Sequence, residues 1–310
     1  MKLFLNPFEN EIFIPVLIRL VYIFLGGFIV VVVFNLKKMN TFFQSETWKR
    51  FYGWLIMAPF FIMGIFLGPV TSVLLLIYVI YKATVEYCNI LGLPHFFRNL
   101  ILINGFISIA LTIFYTELAF MLPALYFIII MLASILRNQL SNILNFVAYT
   151  LFASIWICYG LTHFVLFYMH LQMGVKLLLM FAFAIALSDV MAYVIGKMFH
   201  KIGFGVNQVI ARRISPNKTY AGLIGNIAGA STGVFTLRFI DTGLNTTHLL
   251  ILILIISVFT IMGDLLESVV KRFAGVKDSA GSIPGHGGFL DRIDSLLVTG
   301  MACYYYFIMI

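Results

Sequence analysis

Long apolar runs dominate the chain and predict membrane-spanning helices. Each run approaches the roughly 20 residues that a helix needs to cross a bilayer, and charged residues or Pro/Gly pairs separate successive runs. At Gly68-Pro69 one such run divides into two helices. The pattern predicts an all-α, polytopic integral membrane protein with about ten transmembrane helices, at 13–34, 52–66, 69–89, 99–115, 117–135, 141–161, 174–196, 219–240, 247–270 and 293–309.

Basic residues give the expected orientation. With ten spans, one face of the membrane receives the loops 35–51, 82–98, 136–140, 197–218 and 271–292, which hold 16 of the 20 Lys and Arg residues. Because cytoplasmic loops are enriched in Lys and Arg, this face is predicted to be cytoplasmic. We expect two parts: N-terminal transmembrane helices over 1–173, and a catalytic transmembrane region over 174–310 with cytoplasmic loops 197–218 and 271–292.

Composition excludes a water-soluble fold. The 310 residues are 62% hydrophobic and only 10% charged, whereas soluble domains are about a quarter charged. The net charge of +8 would suggest nucleic acid as a partner of a soluble protein, but basic loops of a membrane protein set orientation and meet anionic lipid. We therefore expect membrane lipids, and no nucleic acid, as partners.

Acidic residues are concentrated near the C-terminus. Five of the twelve Asp and Glu residues lie between positions 264 and 294: Asp264, Glu267, Asp278, Asp291 and Asp294. Ionisable groups at membrane depth are costly and usually face a bundle interior or a water-filled cavity. This density favours a functional site, although an ion-pair network that only orients helices is the alternative reading.

Helical spacing places these acids on two polar faces. Asp264, Glu267 and Ser268 are offset by three and four residues, and Asp291, Asp294 and Ser295 repeat the same offsets at the start of the last helix. Between the two faces runs the glycine-rich segment 276–288, whose backbone amides can approach an anion closely. Such a hairpin can hold a metal ion and a polyphosphate.

Carboxylate oxygens in this pattern predict a Mg²⁺ site. Mg²⁺ is bound by one or two carboxylates plus substrate phosphates, and Asp264 and Asp291 suit that role. Four basic residues would neutralise phosphate oxygens and the charge on a leaving group: Lys271, Arg272, Lys277 and Arg292. Orientation by the positive-inside rule is the alternative explanation for these four.

A second group of polar residues precedes this cluster. Asp189, Tyr193 and Lys197 recur every four residues along one side of a predicted helix, and Asp189 is either a functional acid or an interhelical hydrogen-bonding partner. Ser215-Pro216-Asn217 predicts a turn and a helix start. Lys218 then lies at the membrane border, where it can hold a phosphate. Glycines in the following helix favour close helix packing.

The segment from Ser268 to Ser295, SVVKRFAGVKDSAGSIPGHGGFLDRIDS, closely resembles the signature of the phosphatidate cytidylyltransferases, also called CDP-diacylglycerol synthases. It holds the Ser, Lys-Arg, Lys-Asp, His-Gly-Gly and Asp-Arg-x-Asp elements in the order and at the spacing of that family. The stretches ISPNKT and DVMAYVIGK also look like family motifs. Ala221 and Asn226 depart from the pattern, because the family usually has Glu and Gly there.

The resemblance implies an integral membrane enzyme that uses CTP and a divalent cation to convert phosphatidic acid to CDP-diacylglycerol, with release of pyrophosphate. It implies Asp264 and Asp291 as metal ligands. The implied catalytic residues are Asp264, Lys271, Arg272, Lys277, Asp278, Asp291 and Arg292. The implied substrate-binding residues are Asp189, Ser215, Lys218, Thr219, Glu267, Ser268, His286, Gly287, Gly288 and Asp294. We expect a site that faces the cytoplasm from a bacterial inner membrane, and consider a homodimer.

Other activities predict different patterns. An ion-coupled transporter would show paired halves, but the sequence shows no inverted repeat and the candidate site lies in the C-terminal part. A CDP-alcohol phosphotransferase would carry a D-G-x-x-A-R core, which is absent from the sequence. A CTP-dependent lipid kinase, or a cytidylyltransferase that acts on another lipid phosphate, stays open because of Ala221.

Overall fold

The computed structural model describes residues 4–138, 141–171, 173–202, 209–277 and 288–310. The α-helices in these ranges are α1 Phe13–Asn35, α2 Glu46–Phe66, α3 Pro69–Leu91, α4 His95–Phe114, α5 Leu122–Arg137, α6 Ile143–Ala153, α7 Gly160–His170, α8 Gly174–Lys201, α9 Tyr220–Thr236, α10 Thr246–Phe273 and α11 Leu290–Met309. A π-helical turn, Ser154–Tyr159, joins α6 to α7, and 3₁₀ helices cover Pro7–Glu9, Leu36–Gln44 and Thr116–Met121. The strands are β1 Val209–Ala211 and β2 Ser215–Thr219.

The all-α membrane fold predicted from hydropathy is confirmed. Seven helical spans in the described part of the chain are long and apolar enough to cross a membrane, if α5 is counted with the 3₁₀ helix before it (Thr116–Arg137) and α6 is counted with the π turn and α7 (Ile143–His170). The predicted count of ten is not confirmed, because α2, α9 and α11 fold as helices but do not reach that length or apolarity.

The predicted break between α2 and α3 is confirmed. Gly68 lies between the two helices with a φ of 113°, a conformation that residues with a Cβ rarely adopt. Pro69 begins α3, where its missing N–H group is not needed. The chain therefore divides into α2 and α3 at this point.

The prediction of a helix start at Ser215-Pro216-Asn217 was wrong. Residues Ser215–Thr219 form strand β2, which pairs antiparallel with β1 so that Ala211 lies opposite Ser215. A proline is tolerated in an edge strand of so short a hairpin. Helix α9 begins only at Tyr220, because the Thr219 hydroxyl accepts a hydrogen bond from the Gly222 N–H at 3.1 Å and caps the helix.

Helix ends that border the basic loops meet at one end of the bundle. Tyr149 in the middle of α6 packs against Phe273 at the end of α10, with 5.7 Å between the ring centroids. The guanidinium of Arg137 lies 4.6 Å from the ring of Phe96 at the start of α4. We call this the site end. The basic loops are therefore grouped at one end, as the charge pattern predicts. The side of the membrane that the site end faces stays a prediction.

Glycines allow α8 and α9 to pack with their backbones in contact. A Cβ atom added to Gly225 would lie 2.5 Å from the Met191 carbonyl oxygen, and one added to Gly229 would lie 2.3 Å from the Leu187 carbonyl oxygen. Both distances are too short for any side chain. This close approach confirms the packing role predicted for these glycines, and it fixes α8 relative to the strand hairpin that precedes α9.

Replacing Gly229 by leucine is expected to separate α8 from α9 and to destabilise the protein by more than about 2 kcal/mol, because the clash is with backbone atoms. Thermal unfolding in detergent measures this effect. Gly222→Ala is the matched control, since its nearest new contacts, 3.6 and 3.7 Å, are ordinary. Equal melting temperatures for the wild type and Gly229→Leu would show that this contact does not hold the helices together.

Candidate active site

Helices α10 and α11 cross closely at the level of the acidic residues. A Cβ atom on Gly263 would lie 2.6 Å from the Asp294 carbonyl oxygen and 2.7 Å from the Ser295 Cα atom, so only glycine permits this approach. The Ser295 hydroxyl donates a hydrogen bond to the Thr260 carbonyl oxygen at 3.2 Å. The two predicted acidic helix faces are therefore brought together.

Lys271 bridges the two helices. Its ammonium group donates to Glu267 Oε2 at 2.7 Å and to Asp291 Oδ1 at 2.5 Å. The side chains of Glu267, Lys271 and Asp291 are only 4%, 13% and 11% exposed. Charge-assisted hydrogen bonds with so little solvent contact are strong, so Lys271 holds the ends of α10 and α11 in one arrangement.

Asp291 also organises the start of α11. Its Oδ2 atom accepts a hydrogen bond from the Gly288 N–H at 2.7 Å. The Leu290 N–H group donates a hydrogen bond at 2.8 Å to Oε2 of Glu86. Glu86 lies near the end of α3 and is 5% exposed. Carboxylates stabilise helix N-termini. Glu86 is a residue that spacing did not assign to the site, although a buried acid in a predicted span was a signal for it.

Lys218 enters the site from strand β2. It forms a salt bridge with Asp264 on α10, in which the two side chains are 33% and 25% exposed. Burial lowers the pKa of the Lys218 ammonium group, while the negative charges of Asp189 and Asp294 raise it. These electrostatic partners show that the hairpin places Lys218 among carboxylates from three helices.

Asp294 and Asp189 form the inner part of the cluster. Asp294 is 3% exposed, and its Oδ1 atom accepts the Ser295 N–H at 2.7 Å. Asp189, on α8, interacts electrostatically with Lys218, Asp294 and Arg292. We call Asp189, Lys218, Asp264, Glu267, Lys271, Asp291, Arg292 and Asp294 the charged cluster.

Other predicted site residues lie at its edge or have structural contacts. The Thr219 hydroxyl caps α9, and Ser215 pairs in the hairpin. Arg272 is exposed and donates through Nε to the Ile214 carbonyl oxygen at 3.2 Å, which ties α10 to the hairpin. Ser268 is partly buried on α10 and Lys277 is exposed beyond it. Asp278, His286 and Gly287 lie outside the described residues.

The donor set of the charged cluster fits a hard divalent cation held jointly with a substrate. Carboxylate oxygens are the ligands that Mg²⁺ prefers, and Glu267 adds a buried carboxyl group to the cluster. Within the described residues no three His, Cys, Asp or Glu side chains form an all-protein metal cage. Asp264 and Asp291 are each paired with a separate lysine, so two carboxylates would have to be completed by phosphate and water oxygens.

The two departures from the family pattern are both buried on α9. Ala221 is 4% exposed and Asn226 is 2% exposed. The Asn226 Oδ1 atom has no hydrogen-bonding partner, which is unusual for a buried polar atom. Both residues lie in the first two turns of α9, which follows the hairpin that carries Lys218.

Comparison with known proteins gives a consistent result. The family model described as "Cytidylyltransferase family" matches residues 48–310. The phosphatidate cytidylyltransferases of Staphylococcus haemolyticus (strain JCSC1435) and Staphylococcus aureus (strain COL) are 39% and 40% identical to the chain over 135 residues, which is 43% of this chain and 50% of each relative. The chain therefore spans about half the length of these relatives. The uncharacterized protein YnbB of Escherichia coli (strain K12) is 31% identical over 233 residues, 73% of this chain and 75% of that protein.

Proposed function

This chain belongs to the cytidylyltransferase family, and from that premise we propose that it transfers CMP from CTP to phosphatidic acid, giving CDP-diacylglycerol and pyrophosphate. The single observation that carries the proposal is the charged cluster, in which carboxylates of α8, α10 and α11 surround Lys218 and Lys271. The phosphatidate cytidylyltransferases of the two Staphylococcus species lend it support by identity over 135 residues.

The proposed reaction needs no protein nucleophile. A phosphate monoester of a lipid attacks the α-phosphorus of CTP, the bond to the β-phosphate oxygen breaks, and pyrophosphate leaves. The protein must align the two phosphates and stabilise negative charge. Lys218, Lys271 and Arg292 are the cations in reach of these phosphates, which explains why the cluster combines acids with cations rather than a Ser or Cys beside a base.

Asp264 and Asp291 are the proposed ligands of a divalent cation, which when bound neutralises the phosphate oxygens of CTP. Their lysine partners are then free to contact phosphates instead. Glu267 and Asp294, both nearly buried, keep Lys271 and the start of α11 in position. We further propose that the site end faces the cytoplasm of a bacterial inner membrane, because CTP is a charged cytoplasmic substrate and the basic loops gather at that end.

An enzyme for another lipid phosphate, or a lipid kinase, is the second candidate. The buried residues Ala221 and Asn226 favour it, because both differ from the family pattern and lie on α9, the helix that follows the hairpin with Lys218. A kinase would use the same cations but transfer the terminal phosphoryl group, so the two reactions differ in which phosphorus reaches the lipid.

CTP labelled at either the α- or the γ-phosphorus separates these reactions. Purified protein in detergent is incubated with Mg²⁺, phosphatidic acid or diacylglycerol, and each labelled CTP. The proposal predicts α-label in the lipid product, with phosphatidic acid only, and an equimolar amount of pyrophosphate. Transfer of γ-label to diacylglycerol would establish the kinase. No label in lipid from either nucleotide would contradict both cytidylyl transfer to phosphatidic acid and phosphorylation of diacylglycerol.

A further inference from the structure

Helix α1 precedes the part of the chain that matches the family, which begins at residue 48. It nevertheless contacts the catalytic region at both of its ends. At the end remote from the site, the Arg19 guanidinium lies 3.5 Å from the centre of the Phe239 ring. Phe239 belongs to the α9–α10 connection, which the hydrogen bond from Lys176 Nζ to the Asp241 carbonyl oxygen (3.0 Å) fastens to the start of α8.

At the site end, α1 meets the last turns of α8. The Phe34 ring lies 5.3 Å from Lys197 Nζ and 4.9 Å from Lys201 Nζ. Helix α1 therefore contacts the end of α8 directly, and the beginning of α8 through the α9–α10 connection.

Between these contacts one face of α1 is open, whereas another face packs against α2 through Phe28 and Phe51. Arg19, Gly26, Val30 and Phe34 share one face of α1, since they are spaced by seven, four and four residues. A Cβ atom on Gly26 would meet nothing within 4 Å, and Val30 is 37% exposed. On α8, Val190 lies seven residues before Lys197 and therefore on the same side of the helix, and it is 36% exposed. We call this opening, apolar along its length and closed at both ends, the α1–α8 slot.

In the part of the chain that the structure describes, the two lysines at the site end of the slot are not paired with an acid. Lys197 donates to the Tyr193 hydroxyl at 3.2 Å, and within the described residues neither Lys197 nor Lys201 forms an ion pair with a carboxylate. An ammonium group that lies over an aromatic ring has N–H donors that can still form hydrogen bonds with another ligand. The slot thus ends in two positive charges that can receive an anion.

The lysines also lead to the charged cluster. Asp189, Tyr193, Lys197 and Lys201 follow one another at intervals of four residues on one side of α8, a rise of about 18 Å from first to last. This row of four residues connects the site end of the slot with Asp189, which interacts electrostatically with Lys218.

We propose that the α1–α8 slot is the lateral access route for the lipid substrate, and that Lys197 and Lys201 capture its phosphate monoester headgroup before it reaches the charged cluster. This inference rests on the proposed function. Nucleotide and lipid phosphates share the chemistry that two lysines recognise, but only a lipid carries acyl chains that fill an apolar slot open to the bilayer. The geometry therefore assigns the lysines to the lipid.

Photo-crosslinking tests the capture step without CTP and without turnover. The probes are phosphatidic acid and phosphatidylcholine that carry a photoreactive group in one acyl chain, in nanodiscs containing the full chain. We expect phosphatidic acid to label α1 and α8, and the Lys197→Ala/Lys201→Ala variant to lose about tenfold or more of that labelling, because each lysine near an anionic lipid contributes severalfold to its binding. Equal labelling by both lipids, or no loss in the variant, would overturn the proposal.

A bulky residue in the slot tests the route. Gly26→Trp is expected to raise the KM for long-chain phosphatidic acid in bilayers severalfold and to leave the KM for CTP unchanged, since the indole fills the opening. Leu25→Trp is the matched control, because Leu25 is 55% exposed and lies outside the face shared by Gly26 and Phe34. Equal effects of both tryptophans would contradict the route.

The lysine variant also distinguishes the two phosphate sources. A rise in the KM for CTP with an unchanged KM for phosphatidic acid would assign the lysines to the nucleotide and overturn the inference. If wild-type protein labels with phosphatidic acid but makes no CDP-lipid, the proposed function fails while the capture site stands. If it makes CDP-lipid but labels equally with both lipids, the capture site fails alone.

Discussion

Asp264→Asn protein is expected to bind lipid and fold normally but to form CDP-lipid about a thousandfold more slowly than wild type. Asn keeps the size of Asp264 but removes the negative charge that pairs with Lys218 and would hold a divalent cation. The carboxyl group is 25% exposed, so its loss costs little stability. Initial rates with labelled CTP, together with a thermal melt of the same preparation, measure both effects.

Asp241→Asn is the matched control for this substitution. Asp241 is an exposed acid in the α9–α10 connection, on the opposite end of the bundle from the charged cluster. The Asp241→Asn protein should form CDP-lipid at the wild-type rate. If Asp264→Asn retained most of its activity, Asp264 would be a structural partner of Lys218 and not part of the catalytic machinery.

Lys271→Ala is expected to reduce both stability and activity. Removal of the ammonium group leaves Glu267 and Asp291 as two nearly buried carboxylates without their shared cation, and breaking a buried ion pair on one side costs about 3–5 kcal/mol. The start of α11 would move, and with it Asp291 and Asp294. Unfolding in detergent and CDP-lipid formation measure the two losses.

A second substitution separates the structural loss from the catalytic one. In Lys271→Ala/Glu267→Gln protein one of the two uncompensated charges is removed, so part of the lost stability should return. Activity should not return, because no cation is left at this position to contact a phosphate. Recovery of activity along with stability would mean that Lys271 only joins α10 to α11.

Helices and acidic faces were predictable because they depend on local pattern. Apolar runs set the helices, and the offsets of Asp264, Glu267, Asp291 and Asp294 placed them on facing sides before any contact was known. Gly68-Pro69 was a sufficient signal for the break between α2 and α3. The close crossing at Gly263 was not predicted, because the sequence does not say which helix a glycine will contact.

The pairing of charges could not be predicted, because it depends on contacts between distant segments. Lys218 contacts Asp264 because it lies on a strand hairpin, whereas the sequence pattern had predicted the start of a helix there. Glu86 reaches Leu290 across 204 residues of chain. The approach of α1 to Lys197 and Lys201 also depends on tertiary packing, since nothing near Phe34 in the sequence indicates its partners.

Binding of Mn²⁺, followed by the electron paramagnetic resonance signal of the free ion with and without CTP, tests most directly whether carboxylates of α10 and α11 hold one divalent cation for a nucleotide. The account predicts saturable binding that CTP strengthens in wild-type and Asp241→Asn protein, and that is lost in both Asp264→Asn and Asp291→Asn. Unchanged CTP-dependent binding in either of the last two variants would contradict it.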